Sequence, residues 1–289
     1  MRVSLIGKYG ISELCNAFLA QGWECSPHSD EMILRDEMGR PATPGVLTPA
    51  DLYLLIGEHG DAQKLPSWAH PLALWVIDPH FSPGLEWALG SASRADIVFV
   101  SQKQAVQDFR MHGRDSQWMP LACGDEPRPL AREEIYDVTF VGSLGPGTAE
   151  DRNRLCHIIQ EEFPSHYIGT AWGEDLTRVY AQSRIVLNSS MVTTYRNLPP
   201  RVFHVLSAGK CLLTDPCNGL ADLFEDGHHL VVYHDDNEFR EELRQLLADP
   251  RHLKEIAQSG HEYAMAHHTF HNRVDQILKA CKDRHLITA

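Results

Sequence analysis

The chain has 289 residues, of which 43% are hydrophobic and 22% are charged, and its formal net charge is -13. This length predicts two domains of roughly 130 to 150 residues each, because a single core rarely extends over so long a chain. The acidic balance predicts a poor general binder of nucleic acid, since the long-range field of such a protein repels phosphates, although a local basic pocket could still exist.

Seven cysteines are spread along the chain without any Cys-x-x-Cys pair, and several lie inside apolar runs. This pattern predicts buried free thiols in a reducing compartment and no zinc site. The first ten residues, MRVSLIGKYG, are strand-like and too interrupted for a signal peptide. No segment approaches ~18 continuous apolar residues, so no membrane span is expected. We therefore expect a cytoplasmic protein.

Apolar runs alternate with helical patterns from one end of the sequence to the other. The runs are continuous, which is typical of strands that are covered on both faces. Strands separated by helices predict an α/β fold with parallel sheets and right-handed crossovers. The candidate strands are RVSLIG (2–7), LYLLIG (52–57), LALWVID (72–78), DIVFVS (96–101), SQWMPL (116–121), DVTFVGS (137–143), SHYIG (165–169), RIVLN (184–188), KCLLTD (210–215) and HLVVYH (229–234).

The strand pattern is interrupted between 122 and 136, where the sequence is ACGDEPRPLAREEIY. Proline and charged residues without an apolar period predict a linker. We expect it to separate an N-terminal domain, 1–128, from a C-terminal domain, 129–268. The last segment, 269–289, is predicted to be one helix that is capped near Thr269.

The loop after the first predicted strand is GKYG, from Gly7 to Gly10. In a doubly wound sheet, ligands bind where loops leave the carboxyl ends of the strands. Glycines there would let backbone N–H groups approach a phosphate, and the next helix N-terminus would favour an anion. The same residues are also compatible with a simple tight turn between strand and helix.

A second glycine-containing loop, VGSLGPG at 141–147, includes Gly142 and Ser143. Arg152 and Arg154 follow it closely. Such arginines would be able to meet a diphosphate, or they would remain solvated beside a flexible loop.

The stretch NLPPRVFHVLSAGKCLLTD, at 197–215, predicts a short helix that runs into a buried strand. Pro200 suits a first helical turn, where its missing N–H costs nothing. Arg201 and His204 are three apart and share a face. Ser207 opens a run of small residues that a ligand could approach closely. A helix N-terminus with an arginine predicts an anion site, although His204 taken alone also fits an ordinary half-buried histidine.

Several motifs follow one another in the region from roughly 136 to 280. They are a strand ending in VGS, a strand ending in LN, RVF-x-x-L-x-A-G-x-x-LLTD, an F-x-x-G loop and a terminal H-T-F-x-x-R helix. In this order they resemble the C-terminal half of CgeB-like glycosyltransferases, which are relatives of the group 1 sugar transferases. WVIDPH and ADIVFVSQ followed by MPLACGDEP look like the N-terminal half of that family. The resemblance implies two Rossmann-like domains that face a central cleft, the GT-B type.

The resemblance also implies a function, the transfer of a hexose or pentose from a nucleotide sugar, such as a UDP-sugar, to an acceptor. No other cofactor is implied, and no metal, because loop amides and a helix N-terminus would hold the diphosphate. Retention of anomeric configuration follows from the resemblance alone. Donor roles fall on the VGS loop, Asn188, Ser189 and the 201–209 helix. The last helix becomes a clasp on the N-terminal, acceptor-side domain.

The sequence departs from this family at two positions. Many group 1 relatives carry a glutamate that holds the ribose hydroxyls just before the Ala-x-x-x-Gly run, and CgeB-like proteins tend to keep it. His204 occupies that position here, and Arg196 stands where a second glutamate is expected. A histidine can still hydrogen-bond a hydroxyl, and it can also carry charge.

For the chemical step, the candidates are Asp78 and His80 in the WVIDPHFS loop, at a predicted strand end. Transfer to a hydroxyl requires removal of a proton or stabilisation of a sugar cation, which a carboxylate or imidazole can supply. Asp78 could instead cap a turn beside a solvated His80. Glu58 and His59, after another strand, are a weaker pair.

Two patterns that resemble metal sites receive other interpretations. In HDD at 234–236, the aspartates precede a helical run, so Asp236 or Asn237 is interpreted as a helix N-cap. His267 and His271 have i, i+4 spacing but no neighbouring carboxylate ligand. No metal site is predicted from either pattern.

Three function classes remain open from the sequence. The first is the sugar transferase, and the second is a degenerate transferase fold that binds a nucleotide or glycan without turnover. The third is a nucleotide-sugar epimerase of the non-hydrolysing type. The acceptor of a transferase could be a glycan, a protein, a lipid or a modified nucleobase.

Overall fold

The computed structural model describes residues 1–7, 9–28, 47–57, 61–79, 84–124, 133–145, 150–190 and 197–288. The chain divides into two compact units. One contains Met1–Leu121 together with Phe270–Ala289, and the other contains Ala122–Thr269. The domain boundary predicted at 128 lies outside the described residues.

The first unit is built on a parallel sheet of six strands in the order β2-β1-β3-β4-β5-β6. Its central strands are almost entirely buried, as continuous apolar runs predict. The strands are β1 (Arg2–Gly7), β2 (Glu24–His28), β3 (Leu52–Gly57), β4 (Leu72–Val76), β5 (Ile97–Val100) and β6 (Gln117–Trp118). The helices between them are α1 (Ile11–Ala20), α2 (Gly84–Ala92) and α3 (Lys103–Met111), with a 3₁₀ turn at Asp61–Lys64.

The second unit has a parallel sheet of five strands in the order β11-β10-β9-β7-β8. Its strands are β7 (Tyr136–Val141), β8 (His166–Gly169), β9 (Ser183–Asn188), β10 (Cys211–Thr214) and β11 (Val231–Val232). Its helices are α4 (Glu150–Glu162), α5 (Gly173–Ala181), α6 (Pro200–Ser207), α7 (Leu220–Leu223), α8 (Asp236–Ala248) and α9 (Pro250–His267). The predicted α/β class with parallel sheets is confirmed in both units.

The last helix, α10 (Phe270–Asp283), belongs to the first unit. The buried guanidinium of Arg273 donates to the carbonyl oxygens of Pro120 at 2.7 Å and Leu121 at 2.8 Å. Arg284 contacts the Asp115 carboxylate at 2.7 Å. These bonds fix α10 at the end of β6, where backbone carbonyls would otherwise lack partners.

The sequence-based strand limits fail at the sheet edges. The predicted runs 116–121 and 229–234 shrink to the two-residue strands β6 and β11, and the edge strand β2 was not predicted. An edge strand has a neighbour on one side only, so its residues need not be continuously apolar. β2 reads ECSPH and includes Pro27, which is tolerated at an edge.

Gly260 lies inside α9, where glycine is normally a poor choice. A Cβ on Gly260 would overlap the carbonyl oxygen of His229, which precedes β11. The helix therefore packs directly on this backbone. Gly90, in α2, has open space around its missing Cβ.

We expect Gly260→Ala to lower the free energy of unfolding by about 1–3 kcal/mol, because the added methyl group overpacks a rigid backbone contact. Gly90→Ala is the matched control and should raise it by up to about 1 kcal/mol, because alanine is the better helix former. Urea unfolding of both variants measures the two changes. Equal effects of the same sign would contradict the close packing of α9.

Candidate functional site

The strand order of the second unit creates a gap at the carboxyl ends of β7 and β9. The chain leaves β7 towards β8 on one side and then returns to β9 on the other side. The connections after these two neighbouring strands therefore diverge, which makes a topological switch point, the usual ligand position in such sheets. The residues at this gap are Val141, Gly142, Asn188 and Ser189.

Arg201, in the first turn of α6, reaches across this gap. Its Nε and Nη2 donate to the carbonyl oxygen of Val141 at 3.1 and 2.7 Å. Its Nη1 donates to Asn188 Oδ1 at 2.7 Å. Pro200 is the first residue of α6, and Pro199 before it provides no side-chain cap. The guanidinium thus joins both strand ends to the first turn of a helix whose N-cap residue makes no side-chain hydrogen bond to its amides.

Arg152, in the first turn of α4, approaches the same gap from the other side. Its Nε and Nη2 donate to the carbonyl oxygen of Ser189 at 3.2 and 2.5 Å, and its Nη1 donates to that of Ser143 at 3.3 Å. Ser143 and Ser189 therefore contact Arg152 through their backbone carbonyl oxygens and not through their hydroxyls. Of the residues predicted to bind the donor, six meet in one cluster: Gly142, Ser143, Arg152, Asn188, Ser189 and Arg201.

Phe140 is the surface on which the two arginines meet. Its ring centre lies 5.1 Å from the guanidinium carbon of Arg201 and 5.4 Å from that of Arg152. A Cβ on Gly142 would lie 2.7 Å from Arg201 Nη2 and 2.9 Å from the Phe140 ring. The glycine therefore leaves the space in which Arg201 lies over the ring. This is a packing requirement in addition to the open loop that the sequence suggested.

Asn188 is fully buried and extends the cluster towards β10. Its Nδ2 donates to Thr214 Oγ1 at 2.9 Å, and its carbonyl oxygen accepts from the Tyr233 hydroxyl at 3.2 Å. The carboxylate of Asp215, just after β10, accepts from the Ser190 backbone N–H at 3.0 Å. The strand end is thus held by a chain of polar contacts.

The two buried guanidinium charges of this cluster disfavour each other, and a nearby anion would stabilise both. Burial, and then the charge of Arg201, lowers the pKa of Arg152 to about 10. Burial also lowers the pKa of Arg201, while Tyr180 and Asp215 act in the opposite direction. Arginine stays protonated at neutral pH. Two desolvated positive charges next to each other are stabilised when a negative group approaches.

His204 and Ser207 follow Arg201 along α6. Burial, and then the charge of Arg201, lowers the pKa of His204 from its ordinary 6.5, so the imidazole is neutral at pH 7. The imidazole is partly exposed and makes no hydrogen bond within the described residues. The Ser207 hydroxyl donates to the His204 carbonyl oxygen at 2.9 Å. The Ser207 hydroxyl has therefore used its donor and can still accept, whereas the imidazole of His204 can both donate and accept.

Two sequence interpretations near this site are wrong. Arg154 does not join Arg152, because its guanidinium binds the Asp236 carboxylate at the surface, with Nε 2.6 Å from Oδ2. The N-cap of α8 is Asp235, which accepts from the amides of Asn237 and Glu238, and is neither Asp236 nor Asn237. The helix begins one residue earlier than the polarity pattern suggested.

Gly7 and Gly10 lie in the first unit, and packing within that unit accounts for both. A Cβ on Gly7 would overlap the carbonyl oxygen of Ile56 in the neighbouring strand β3. Gly10 has a φ of 61°, and a Cβ there would overlap the ring of Phe270. Their proposed approach to a phosphate stays a prediction.

Asp78 lies two residues after β4, at the carboxyl edge of the first sheet, and its side chain is partly exposed. Its predicted companion His80 lies outside the described residues. The weaker pair Glu58 and His59, and the departure at Arg196, lie outside them as well.

Phe140 and Asp215 were not singled out from the sequence. Phe140 looked like an ordinary core residue of DVTFVGS, and Asp215 closed the run KCLLTD. The signal that could have found Asp215 is its position at the end of the strand beside β9, where polar residues meet at one edge. No sequence signal identifies a buried phenylalanine as a surface for two arginines.

Across the described ranges, no group of three or more His, Cys, Asp or Glu side chains could hold a metal ion. The described helices include none with the length and apolar character needed to cross a membrane. All seven cysteines are free thiols, and Cys15 and Cys25 are the partly exposed ones.

Similar folds occur in several glycosyltransferase structures. Sucrose-phosphate synthase (tll1590) from Thermosynechococcus elongatus has a TM-score of 0.64 at 13% identity, covering 98% of this chain and 100% of that one. Anabaena Alr3699/HepE in complex with UDP-glucose has a TM-score of 0.65 at 14% identity, covering 97% and 100%. An alpha-glucosyltransferase in complex with UDP and a 13-mer DNA containing a HMU base has a TM-score of 0.64 at 10% identity, covering 96% and 98%. These likenesses confirm the GT-B fold.

None of the curated proteins matches the sequence. The family model described as "Glycosyl transferase-like" matches residues 128–279, which is more than half of the chain. The matched region contains the whole arginine cluster at the ends of β7 and β9. By this match and by its fold, the chain belongs to the glycosyl transferase-like family, among the group 1 glycosyltransferases.

Proposed function

We propose that the protein transfers a sugar from a UDP-sugar to the hydroxyl of an acceptor, without a metal ion and with retention of anomeric configuration. The observation that carries this proposal is the pair of guanidinium groups at the switch point of the second sheet, next to an uncapped helix N-terminus. A diphosphate is the group that such a site fits.

The arginine pair also offers a way to do without a metal ion. Departure of a nucleoside diphosphate leaves negative charge on its phosphate oxygens, and preorganised positive charge stabilises that development. Arg152 uses part of its donor set on protein carbonyls, and Arg201 uses part of its own on Val141, Asn188 and Tyr180, so N–H groups of the pair remain for phosphate oxygens. Their two charges match those of the diphosphate that a divalent cation would otherwise neutralise.

The neighbouring residues suggest where the rest of the donor lies. The neutral imidazole of His204 follows Arg201 by one helical turn and would hydrogen-bond a ribose or sugar hydroxyl in place of the family glutamate. The backbone amide of Ser143 would cover the phosphates from the β7 side, whereas that of Gly142 already donates to the Gly169 carbonyl oxygen at 2.8 Å. The preference for UDP is taken from HepE, which has been crystallised with UDP and with UDP-glucose.

Asp78 is our candidate for the acceptor side of the reaction, together with His80. It lies at the carboxyl edge of the first sheet and is partly exposed. A carboxylate in that position would accept the proton of the attacking hydroxyl or stabilise the sugar cation. The net charge of -13 disfavours DNA as the acceptor, in contrast to the alpha-glucosyltransferase with bound DNA.

His204 and Arg196 stand in place of two family glutamates, which favours a second candidate function. This is a degenerate fold that binds a nucleotide without turnover. The CgeB-like subtype and the cytoplasmic location stay predictions from the sequence.

The proposal predicts that UDP and UDP-sugars raise the midpoint of thermal unfolding in the presence of a chelator. A ligand at 100 times its Kd stabilises the folded state by about 2.7 kcal/mol, which is a shift of a few degrees. GDP, TDP and ADP are the controls. No shift with any nucleotide would contradict donor binding, and a shift without hydrolysis or transfer of any UDP-sugar would favour the degenerate binding module.

Arg201→Ala should weaken UDP binding by about 1.5–3 kcal/mol, the scale of a hydrogen bond to a charged group. Arg154→Ala is the matched control, because it removes an arginine whose carboxylate partner lies at the surface, and it should leave the affinity unchanged. Titration calorimetry well below the unfolding temperature separates binding from stability. Equal affinities of the two variants would refute the assignment.

Asp78→Asn should lower kcat by at least about a hundredfold, because the amide cannot accept the hydroxyl proton. The affinity for UDP should stay unchanged, since donor binding is assigned to the second unit. Glu86→Gln, at an exposed position of α2, is the control in the same unit. An Asp78→Asn enzyme with full kcat would remove Asp78 from the mechanism.

A further inference from the structure

A groove on the first unit lies between α3 and the end of the edge strand β6. Its volume is about 520 Å³. It is lined by Lys103, Val106, Gln107, Arg110, Met111 and Trp118. None of these residues belongs to the arginine cluster or to the predicted catalytic loop, and nothing in the proposed transfer reaction uses them.

The α3 residues in this groove occupy one face of the helix, at positions i, i+3, i+4, i+7 and i+8. The opposite face is buried through Ala105 and Phe109. Met111 is 67% exposed, which is unusual for so large an apolar side chain. The Trp118 indole N–H donates to the Ser101 carbonyl oxygen at 3.2 Å, so its ring forms a fixed wall. These positions have the spacing of a face that packs against another helix. The residues that line the groove come from α3 and β6 and include no second helix.

The charge of the groove is opposite to that of the protein. The described residues that line it include two cations, Lys103 and Arg110, and no carboxylate, although the chain carries a net charge of -13. The ammonium of Lys103 lies 5.5 Å from the centre of the Trp118 ring. The guanidinium of Arg110 makes no hydrogen bond or ion pair within the described residues, whereas those of Arg154 and Arg284 each contact a carboxylate. A partner that fits here carries negative charge.

We propose that the groove binds an amphipathic acidic helix of another protein. Lys103 and Arg110 are seven residues apart, which is about 10.5 Å along the axis of α3. A partner helix that lies alongside α3 meets both cations when its own carboxylates are seven residues apart. Apolar side chains three or four residues after each carboxylate would then cover Val106, Met111 and the Trp118 ring.

A second copy of this chain is a poorer occupant. Glu255 and Glu262 are seven residues apart on the exposed side of α9. The residues between them at the contact positions, Gln258 and Ser259, are polar and would not cover the apolar wall. Self-association through this face would therefore bring charge but little apolar contact.

The experiment measures fluorescence anisotropy of a labelled helical peptide of about three heptads, with Glu at seven-residue intervals and Leu three and four residues after each Glu. The full chain should bind it, and Arg110→Glu should weaken binding by at least about tenfold. Arg114→Glu is the matched control, because Arg114 is exposed four residues further on but does not line the groove. A peptide with Lys in place of Glu should bind Arg110→Glu better than the unaltered chain.

No binding of the acidic peptide, or equal binding by the Arg110→Glu and Arg114→Glu variants, would overturn the proposal. Sedimentation of the protein alone tests whether a second copy of the chain occupies the groove. A dimer that dissociates in the Arg110→Glu variant would show that it does. UDP affinity and the thermal midpoint should be the same in both variants. A negative result in the peptide-binding experiment would thus not bear on the proposed transfer reaction.

Discussion

The hydrogen bonds of Arg201 hold together the three parts of the second unit that meet at its switch point. At this gap the connections after β7 and β9 diverge, and the pairing of β7 with β9 ends at Thr139, two residues before Val141. Arg201 supplies two N–H groups to that oxygen and a third to Asn188 at the end of β9. Because Arg201 belongs to the first turn of α6, the same contact also fixes the direction of the helix N-terminus. The opening that a ligand would occupy is therefore lined by a polar and positively charged structure.

The arrangement of Arg152 beside Arg201 has an energetic cost that the surroundings reduce. Burial, and then the like charge of Arg201, disfavours the protonated form of Arg152 and lowers its pKa. The Phe140 ring offers its negative face to both groups, and the carbonyl oxygens of Val141 and Ser189 accept their protons. Asp215 balances part of the charge. In the proposed function, an incoming diphosphate would relieve the remaining imbalance, although the protein as a whole has a net charge of -13.

The same strand order is built twice from unrelated sequences. In each sheet the first strand of the unit lies between the second and the third, so each sheet has a switch point beside its first strand. In the first sheet, Gly7 lies at this point, and its missing Cβ leaves room for the carbonyl oxygen of Ile56. The second sheet uses Gly142 to admit an arginine instead. One topology thus accommodates a tight backbone contact in one unit and a charged cluster in the other, and the side chain that meets the glycine makes the difference.

The sequence by itself determined the parallel sheets, the central strands, and the proline that begins α6, because continuous apolar runs and a fixed φ are local properties. It also drew attention to Gly142, Arg152 and Arg201, since strand ends and helix starts meet at one edge of a parallel sheet, and the family resemblance added Asn188. Gly7 and Gly10 were predicted for the same role but belong to the other unit. Only the tertiary structure decided between Arg152 and Arg154. Two residues apart on a helix, they point in nearly opposite directions, and the sequence does not say which direction faces the sheet. Edge strands, the Asp235 cap and the role of Phe140 likewise depended on neighbours that are distant in sequence, because a hydrogen-bond partner or a ring contact exists only once the chain has folded.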